Sequence, residues 1–148
     1  MTTKVKPIPD GFQTANVYLV VDNVEKQIDF LKQAFDGTEL HRSVLPSGSI
    51  IHAEVQVGMS RIMMGQANDT WKPRPTTVYL YVEDADATFR KAVAAGAKAL
   101  GEPQNQFYGD RSGGVQDPCD NYWWIATHIE DVSPEESDRR FAEMGHKH

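Results

Sequence analysis

Cysteine is nearly missing from this sequence, since Cys119 is the only one among 148 residues. An intrachain disulfide is therefore excluded, and a reducing cytoplasm is the simplest compartment for the protein. Long apolar runs are missing as well: no stretch approaches the ~20 residues of a membrane span, and no signal-type apolar region follows Met1. We therefore expect a cytoplasmic protein that does not enter the membrane.

An excess of positive charge is also lacking. The chain carries 15 Lys and Arg residues against 21 Asp and Glu residues, which gives a formal net charge of −6. Nonspecific binding to nucleic acid requires a basic surface, so the composition argues against a nucleic-acid partner. The acidic balance is compatible with a cationic small ligand, although most acidic proteins are acidic only for solubility.

What the sequence does contain is an internal repeat. The segment VYLVVDN (residues 17–23) returns as VYLYVED (residues 78–84), with four of the seven positions identical. After each copy, the spacing of apolar residues and turn residues predicts a helix and then three strands. A repeated unit of this size cannot bury its apolar face alone, so each copy needs a partner unit.

The repeat divides the chain into segments and predicts an α+β fold of tandem βαβββ modules. Ser133, Pro134 and Glu136 form a capping box with Pro at the first helical position, which predicts a final helix. His146 and His148 lie beyond it in a tail that we expect to be solvated. The predicted segments are an N-terminal arm (1–13), a first module (14–67), a linker (68–75), a second module (76–132), and a C-terminal helix and tail (133–148).

The most distinctive stretch is GDRSGGVQDPCDNYWWIATHIED (residues 109–131). Together with the tandem repeat and the HAEVQVG run (residues 52–58), it resembles the vicinal oxygen chelate superfamily, in the PhnB-like part of its glyoxalase/bleomycin-resistance branch. The resemblance covers about residues 14–132. It implies curved mixed sheets around a cup, with half of the cup from each module, and it implies a homodimer.

The resemblance also bears on metal binding. Metal-dependent members of the superfamily hold a divalent ion with His, Gln or Glu, and those positions fall here on Asn16, Met64, Thr77 and Trp124. None of the four is a His, Glu or Asp, whereas a hard or borderline metal needs about three or four nitrogen or oxygen ligands. We therefore predict that the chain uses no metal cofactor at these positions.

His52 and Glu54 leave other possibilities open, because residues at i and i+2 share one face of a strand. They could supply two ligands of a shifted metal site, with His41 or His128 as a third. They could instead act as a general base oriented by a carboxylate. We favour a third interpretation, a polar pair that lines the cup, because no nucleophile or oxyanion donor accompanies them.

Strand alternation predicts which residues line the cup. The wholly aliphatic face of each first strand should pack on the helices, which leaves the polar and aromatic face for the cup. By the same logic Ile51 and Ala53 face the helices and His52 faces the cup, while Trp123 is core and Trp124 faces the cup. The predicted ligand-binding residues are Asn16, Tyr18, His52, Glu54, Met64, Thr77, Tyr79, Tyr81, Phe107, Arg111 and Trp124, with Tyr108 and Trp71 as further aromatic candidates.

Two residues of the distinctive stretch have competing interpretations. Arg111 could hold an anionic group of a ligand by paired hydrogen bonds, or it could form a salt bridge with Asp110 or Asp117. Cys119 lies between Asp117 and Asp120, where negative charge disfavours the thiolate, so we expect no catalytic role for it.

These observations favour a homodimeric binding protein whose cups hold a small, planar or cationic organic molecule without a metal. By resemblance, bleomycin-type antibiotics are one ligand class. The alternative is an enzyme of the lyase or dioxygenase type, using a shifted metal site or the pair of His52 and Glu54. The sequence leaves open whether the modules form a cup within one chain or across two.

Overall fold

Two copies of one unit, each a strand, a helix and three more strands, make up most of the chain. The computed structural model describes residues 4–145, so His146 and His148 lie outside the described part. The elements are β1 (Val17–Val21), α1 (Val24–Phe35), β2 (Thr38–Val44), β3 (Ile50–Val57), β4 (Ser60–Gln66), β5 (Thr77–Tyr81), α2 (Ala85–Ala94), β6 (Lys98–Asn105), β7 (Asp110–Gln116), β8 (Tyr122–His128) and α3 (Pro134–Gly145).

Each module forms one four-stranded mixed sheet, in the orders β1-β4-β3-β2 and β5-β8-β7-β6. The first strand of each module pairs in parallel with the last, and the other pairings are antiparallel. The predicted α+β fold of two βαβββ modules is therefore confirmed. No helix of residues 4–145 is long and apolar enough to cross a membrane.

The two modules meet on the helix side of their sheets, where α1 packs against α2. A buried carboxylate from the turn between β7 and β8 joins them. Asp117 accepts hydrogen bonds from Gln27 Nε2 on α1 (2.8 Å), from Trp123 Nε1 (2.8 Å) and from the backbone N–H groups of Cys119 and Asn121. The polar residues of this turn thus fix how the modules are joined, because each buried donor finds an acceptor.

The opposite face of each sheet is open. No sheet packs extensively on the other within residues 4–145, since the main contact between modules is the one between the helices. Large aromatic side chains stay partly exposed on the open faces, among them Tyr18, Tyr79 and Trp124. One chain on its own therefore presents two open half-cups on the sides away from the joint.

The predicted facing of Ile51 is wrong. The register between β2 and β3 passes from Ser43 opposite His52 to Val44 opposite Ile50, so Ile51 is the extra residue of a β-bulge. A bulge locally reverses the alternation of side chains. Ile51 is consequently 42% exposed, and Ile50 packs against the core in its place.

Candidate functional site

The open face of the first module carries a cavity of about 680 Å³. This volume lies within the range of pockets that hold small organic molecules. Its wall is largely apolar, and the bulge brings Ile51 into it. The lining residues are Tyr18, Val20, Ile51, Gly65, Gln66, Ala67, Asn68 and Trp71.

Trp71 is held at this cavity by an ordered turn in the linker. The Asn68 side-chain oxygen accepts hydrogen bonds from the backbone N–H groups of Thr70 (2.9 Å) and Trp71 (2.8 Å). The Asn68 N–H in turn donates to the Trp71 carbonyl (2.8 Å). The indole is 61% exposed, so a planar molecule in the cavity could stack on it.

Beside the cavity, the predicted polar pair exists but is loosely connected. His52 Nε2 lies 3.4 Å from Glu54 Oε2, and His52 Nδ1 lies 3.4 Å from the Tyr18 hydroxyl. Arg61 Nη1 is 3.7 Å from Glu54 Oε1, and its guanidinium stacks on the Phe12 ring at 4.7 Å. These separations are at or beyond the long limit of hydrogen bonding, so His52 is not firmly oriented as a base.

The open face of the second module is built around a buried carboxylate, Asp110, which is 2% exposed. Its Oδ2 accepts hydrogen bonds from the hydroxyls of Tyr79 (2.7 Å) and Tyr81 (2.8 Å). Its Oδ1 lies 2.9 Å from His128 Nδ1, and the Tyr79 hydroxyl lies 3.1 Å from that of Tyr108. We call these five residues the Asp110 cluster.

The hydrogen bonds of the cluster set its protonation. Burial would raise the pKa of Asp110, but the hydrogen bonds from His128, Tyr79 and Tyr81 outweigh burial and hold that pKa below its ordinary value. The pKa of His128 is raised by its hydrogen bonds to Asp110 and to Asp131, whose Oδ1 lies 2.8 Å from Nε2. Burial and then the hydrogen bond to Tyr108 raise the pKa of Tyr79. The raised pKa values of Tyr79 and Tyr81 mean that both keep their protons at neutral pH, while the Asp110 carboxylate is ionised.

Trp124 lies on the same open face, as predicted, and is 38% exposed, whereas Trp123 is fully buried. Trp124 is opposite Tyr79 on one side and Gly114 on the other. A Cβ on Gly114 would lie closer than 3.0 Å to three carbons of the Trp124 ring, so the glycine is what lets the ring lie against the sheet. The indole therefore lies flat against Gly114, on the open face that also carries the Asp110 cluster.

The four positions implied for metal ligands do not fit a metal. The Asn16 amide is occupied by the backbone of Gln13, which it contacts at 2.9 and 2.7 Å, and Thr77 and Trp124 offer a hydroxyl and an indole. Met64 is fully buried in the core. Across residues 4–145, no three His, Cys, Asp or Glu side chains are grouped to hold a metal ion.

The prediction that Met64 lines the cup is wrong for a simple reason of register. A shift of one residue along a strand moves a side chain to the opposite face. Met63, which is opposite Tyr18 on β1 and Glu54 on β3, is the half-buried methionine of the open face.

The third ligands considered for a shifted metal site do not complete one. His41 is opposite Glu54 in the register of β2 and β3, but its ring contacts Ser43 at 3.2 Å, and within residues 4–145 no hydrogen bond or ion pair joins it to His52 or Glu54. His128 belongs to the second module.

Arg111 forms a salt bridge, which is one of its two predicted roles, but with a different acidic residue. Its guanidinium makes two hydrogen bonds to Asp86 on α2, at 2.7 and 2.9 Å, and a third to Asn105 at 3.1 Å. Its partner is therefore Asp86 and neither Asp110 nor Asp117. Since Asp86 is on the helix side of the sheet, the guanidinium of Arg111 lies there too and does not line the open face.

Phe107 packs between neighbouring aromatic rings, with centroid distances of 5.1 Å to Tyr108 and 5.3 Å to Phe141 of α3. It supports the last helix and holds Tyr108 beside the cluster.

Cys119 is half-buried, and burial followed by the charge of Asp117 raises the pKa of its thiol to about 12. Burial, more than the neighbouring carboxylates, is thus what disfavours the thiolate.

With the geometry established, comparison with known proteins identifies the family. The profile of the Glyoxalase/Bleomycin resistance protein/Dioxygenase superfamily matches residues 13–125. An uncharacterized protein of Mycobacterium bovis is 32% identical over 139 residues, which cover 86% of this chain and 91% of the relative. The chain belongs to the Glyoxalase/Bleomycin resistance protein/Dioxygenase superfamily.

Solved structures agree on the fold. TioX from Micromonospora sp. ML1 is 23% identical, with a TM-score of 0.67 over 78% of this chain and 99% of TioX. The PhnB protein from Bacillus cereus is 19% identical, with a TM-score of 0.63 over 78% of this chain and 99% of that one. At these identities the likeness shows the two-module fold, and it does not define a ligand.

Proposed function

We propose that this protein binds a small, planar or cationic organic molecule on its open sheet faces without using a metal. The observation that carries the proposal is the 680 Å³ cavity of the first module, with Trp71 exposed at its side. An apolar cavity with an accessible aromatic ring favours a flat ligand, because stacking adds to the burial of apolar surface. The net charge of −6 favours a positive one.

The proposal includes a homodimer. The open faces lie away from the joint between the modules, so one chain leaves both half-cups uncovered. A second copy placed over them would enclose the cavity and cover the exposed aromatic residues Tyr18, Tyr81 and Trp124. Sedimentation at micromolar concentration is expected to give twice the mass of one chain, and a monomer would contradict this part of the proposal.

Enzymatic acid–base chemistry has less support. His52 and Glu54 are 3.4 Å apart, and His52 has no short hydrogen bond that would hold its ring.

The superfamily's description includes bleomycin resistance, so bleomycin-type antibiotics are one ligand class to test.

The direct test uses proflavine, a planar organic cation, with the full-length protein. Proflavine is expected to raise the thermal unfolding midpoint and to quench tryptophan fluorescence, since binding to the native state stabilises it. Trp71→Ala is expected to weaken binding by about 5- to 30-fold, the equivalent of ~1–2 kcal/mol for one stacking or cation–π contact.

Met59→Ala is the matched control, because Met59 is 89% exposed in the turn between β3 and β4 and does not line the cavity. We expect it to bind proflavine like the unaltered protein. If neither the unfolding midpoint nor the fluorescence responds to millimolar proflavine, the proposal fails.

A further inference from the structure

The Asp110 cluster has a fixed direction of hydrogen bonding. An ionised carboxylate can only accept, so both tyrosine hydroxyls at Oδ2, those of Tyr79 and Tyr81, must donate to it. Each hydroxyl has one proton, and in both residues that proton is therefore used. The hydroxyl oxygens of Tyr79 and Tyr81 keep only their capacity to accept.

The direction of these hydrogen bonds also fixes the direction of the bond between Tyr79 and Tyr108. Its hydroxyl lies 3.1 Å from that of Tyr79, whose proton already goes to Asp110, so Tyr108 must be the donor of this bond. His128 has no donor left over, because one ring nitrogen contacts Asp110 at 2.9 Å and the other contacts Asp131 at 2.8 Å. The cluster thus turns its donors inward and leaves lone pairs on Tyr81 and Tyr108 for a ligand.

The tyrosine rings add a second feature of the same kind. Tyr79 is 42% and Tyr81 62% exposed, with their ring centroids 5.3 Å apart, and Trp124 is the neighbour of Tyr79 in the strand register. The faces of aromatic rings attract cations. Accepting oxygens and ring faces together favour a positive group that carries N–H bonds, and the five side chains of the Asp110 cluster offer an anion no donor.

We propose that the Asp110 cluster recognises an N–H-bearing cation, of the ammonium, amidinium or guanidinium class, as the charged part of the ligand. This inference rests on the proposed binding function and names the chemistry that the second module selects. In this arrangement Tyr81 and Tyr108 accept the N–H bonds, while Asp110 orients the hydroxyls.

Isothermal titration calorimetry of the full-length protein with three aryl probes of similar size tests the proposal. Benzamidine is a cation with N–H donors, phenyltrimethylammonium is a cation without them, and benzoate is an anion that only accepts. Benzamidine is expected to bind about tenfold or more tightly than phenyltrimethylammonium, because hydrogen bonds that involve a charged group are the stronger kind. Benzoate is expected to bind most weakly.

Tyr108→Phe separates recognition from folding, because Tyr108 does not contact Asp110 and is 36% exposed. The variant is expected to weaken benzamidine binding about tenfold and to leave phenyltrimethylammonium unchanged. Met59→Ala, which changes a side chain outside both open faces, is expected to alter neither. Thermal unfolding of both variants verifies that they are folded.

The outcomes distinguish this inference from the function on which it rests. If benzoate binds as tightly as benzamidine, or if Tyr108→Phe leaves benzamidine binding unchanged, the inference is wrong, while Trp71-dependent binding of proflavine still supports the binding function. If neither proflavine nor any aryl probe binds, both proposals are wrong.

Discussion

The two modules share one chain topology but differ in what their open faces contain. The equivalent tyrosines of the repeat show the difference: the Tyr18 hydroxyl is 3.4 Å from His52, whereas the Tyr79 hydroxyl is 2.7 Å from Asp110. The first face has a cavity and loosely connected polar groups, and the second has a buried carboxylate with short hydrogen bonds. The repeat has thus kept its architecture while one copy provides apolar space and the other provides ordered polar chemistry.

Each face also holds one aromatic ring against a glycine. Gly65 lies beneath the Tyr18 ring in the first module, and Gly114 lies beneath the Trp124 ring in the second. The contacts differ, because a Cβ on Gly65 would meet mainly the terminal hydroxyl of Tyr18, at 2.5 Å, whereas a Cβ on Gly114 would meet the body of the indole. The second face is therefore the more tightly fitted of the two.

Removing the central carboxylate of each face should give the largest difference. Asp110→Ala leaves the Tyr79, Tyr81 and His128 donors without their acceptor, and we expect it to lower the free energy of unfolding by about 2–3 kcal/mol. Glu54→Ala removes contacts of 3.4 and 3.7 Å and should cost less than about 1 kcal/mol.

Urea denaturation followed by circular dichroism measures both changes. Asp69→Ala serves as the control for a fully exposed carboxylate, whose nearest cation is Lys72 at 3.9 Å. Equal losses in Asp110→Ala and Glu54→Ala would show that the two faces do not differ in their polar order.

The fold was predictable because the spacing of apolar residues in the sequence indicates the repeat. Apolar alternation in β1 and β5 and the stripe of α1 indicate these elements. The errors of facing at Ile51 and Met64 have local causes. A bulge and a one-residue register difference each reverse a side chain without disturbing the pattern around it.

The site was only partly predictable. Alternation correctly brought Tyr79, Tyr81 and Trp124 to one face. Asp110 is missed, because its position next to Arg111 suggests a salt bridge between the two. Neighbours on a strand point to opposite faces, so that pairing was disfavoured from the start. The observed partners of Asp110 lie on β5 and β8, and that of Arg111 lies on α2. Separation along the sequence does not reveal such contacts.

Replacing either of the two glycines should change the free energy of unfolding by an intermediate amount. Gly114→Ala forces the Trp124 ring off the sheet, and we expect a loss of about 1–3 kcal/mol, as for overpacking at a well-fitted position. Gly65→Ala should cost about half as much or less, because the end of the Tyr18 side chain can move away. Urea denaturation gives the free energies, and near-ultraviolet circular dichroism reports the displaced indole. A larger loss in Gly65→Ala would contradict the tighter fit that we assign to the second face.

The smallest effect expected is a pH dependence that belongs to the second face alone. The hydrogen bonds to Asp110 and Asp131 raise the pKa of His128 in the folded protein above its ordinary 6.5. Stability from this group is therefore complete below the unfolded pKa, and it is lost as pH rises through the raised folded pKa. The side chain is half exposed, so solvent screening keeps the contribution modest.

His128→Asn should accordingly flatten the fall in stability above about pH 6.5, measured by urea denaturation across the pH range. Asp131→Asn should lower the His128 pKa while leaving the Asp110 contact, and an NMR titration of the imidazole would show a partial shift. Because Asp110 is buried and Asp131 is exposed, removing the Asp131 contact should have the smaller effect on stability. If the fall in stability persists unchanged in His128→Asn, other groups cause it. The ion pair of His128 and Asp110 would then not be a feature that distinguishes the second face.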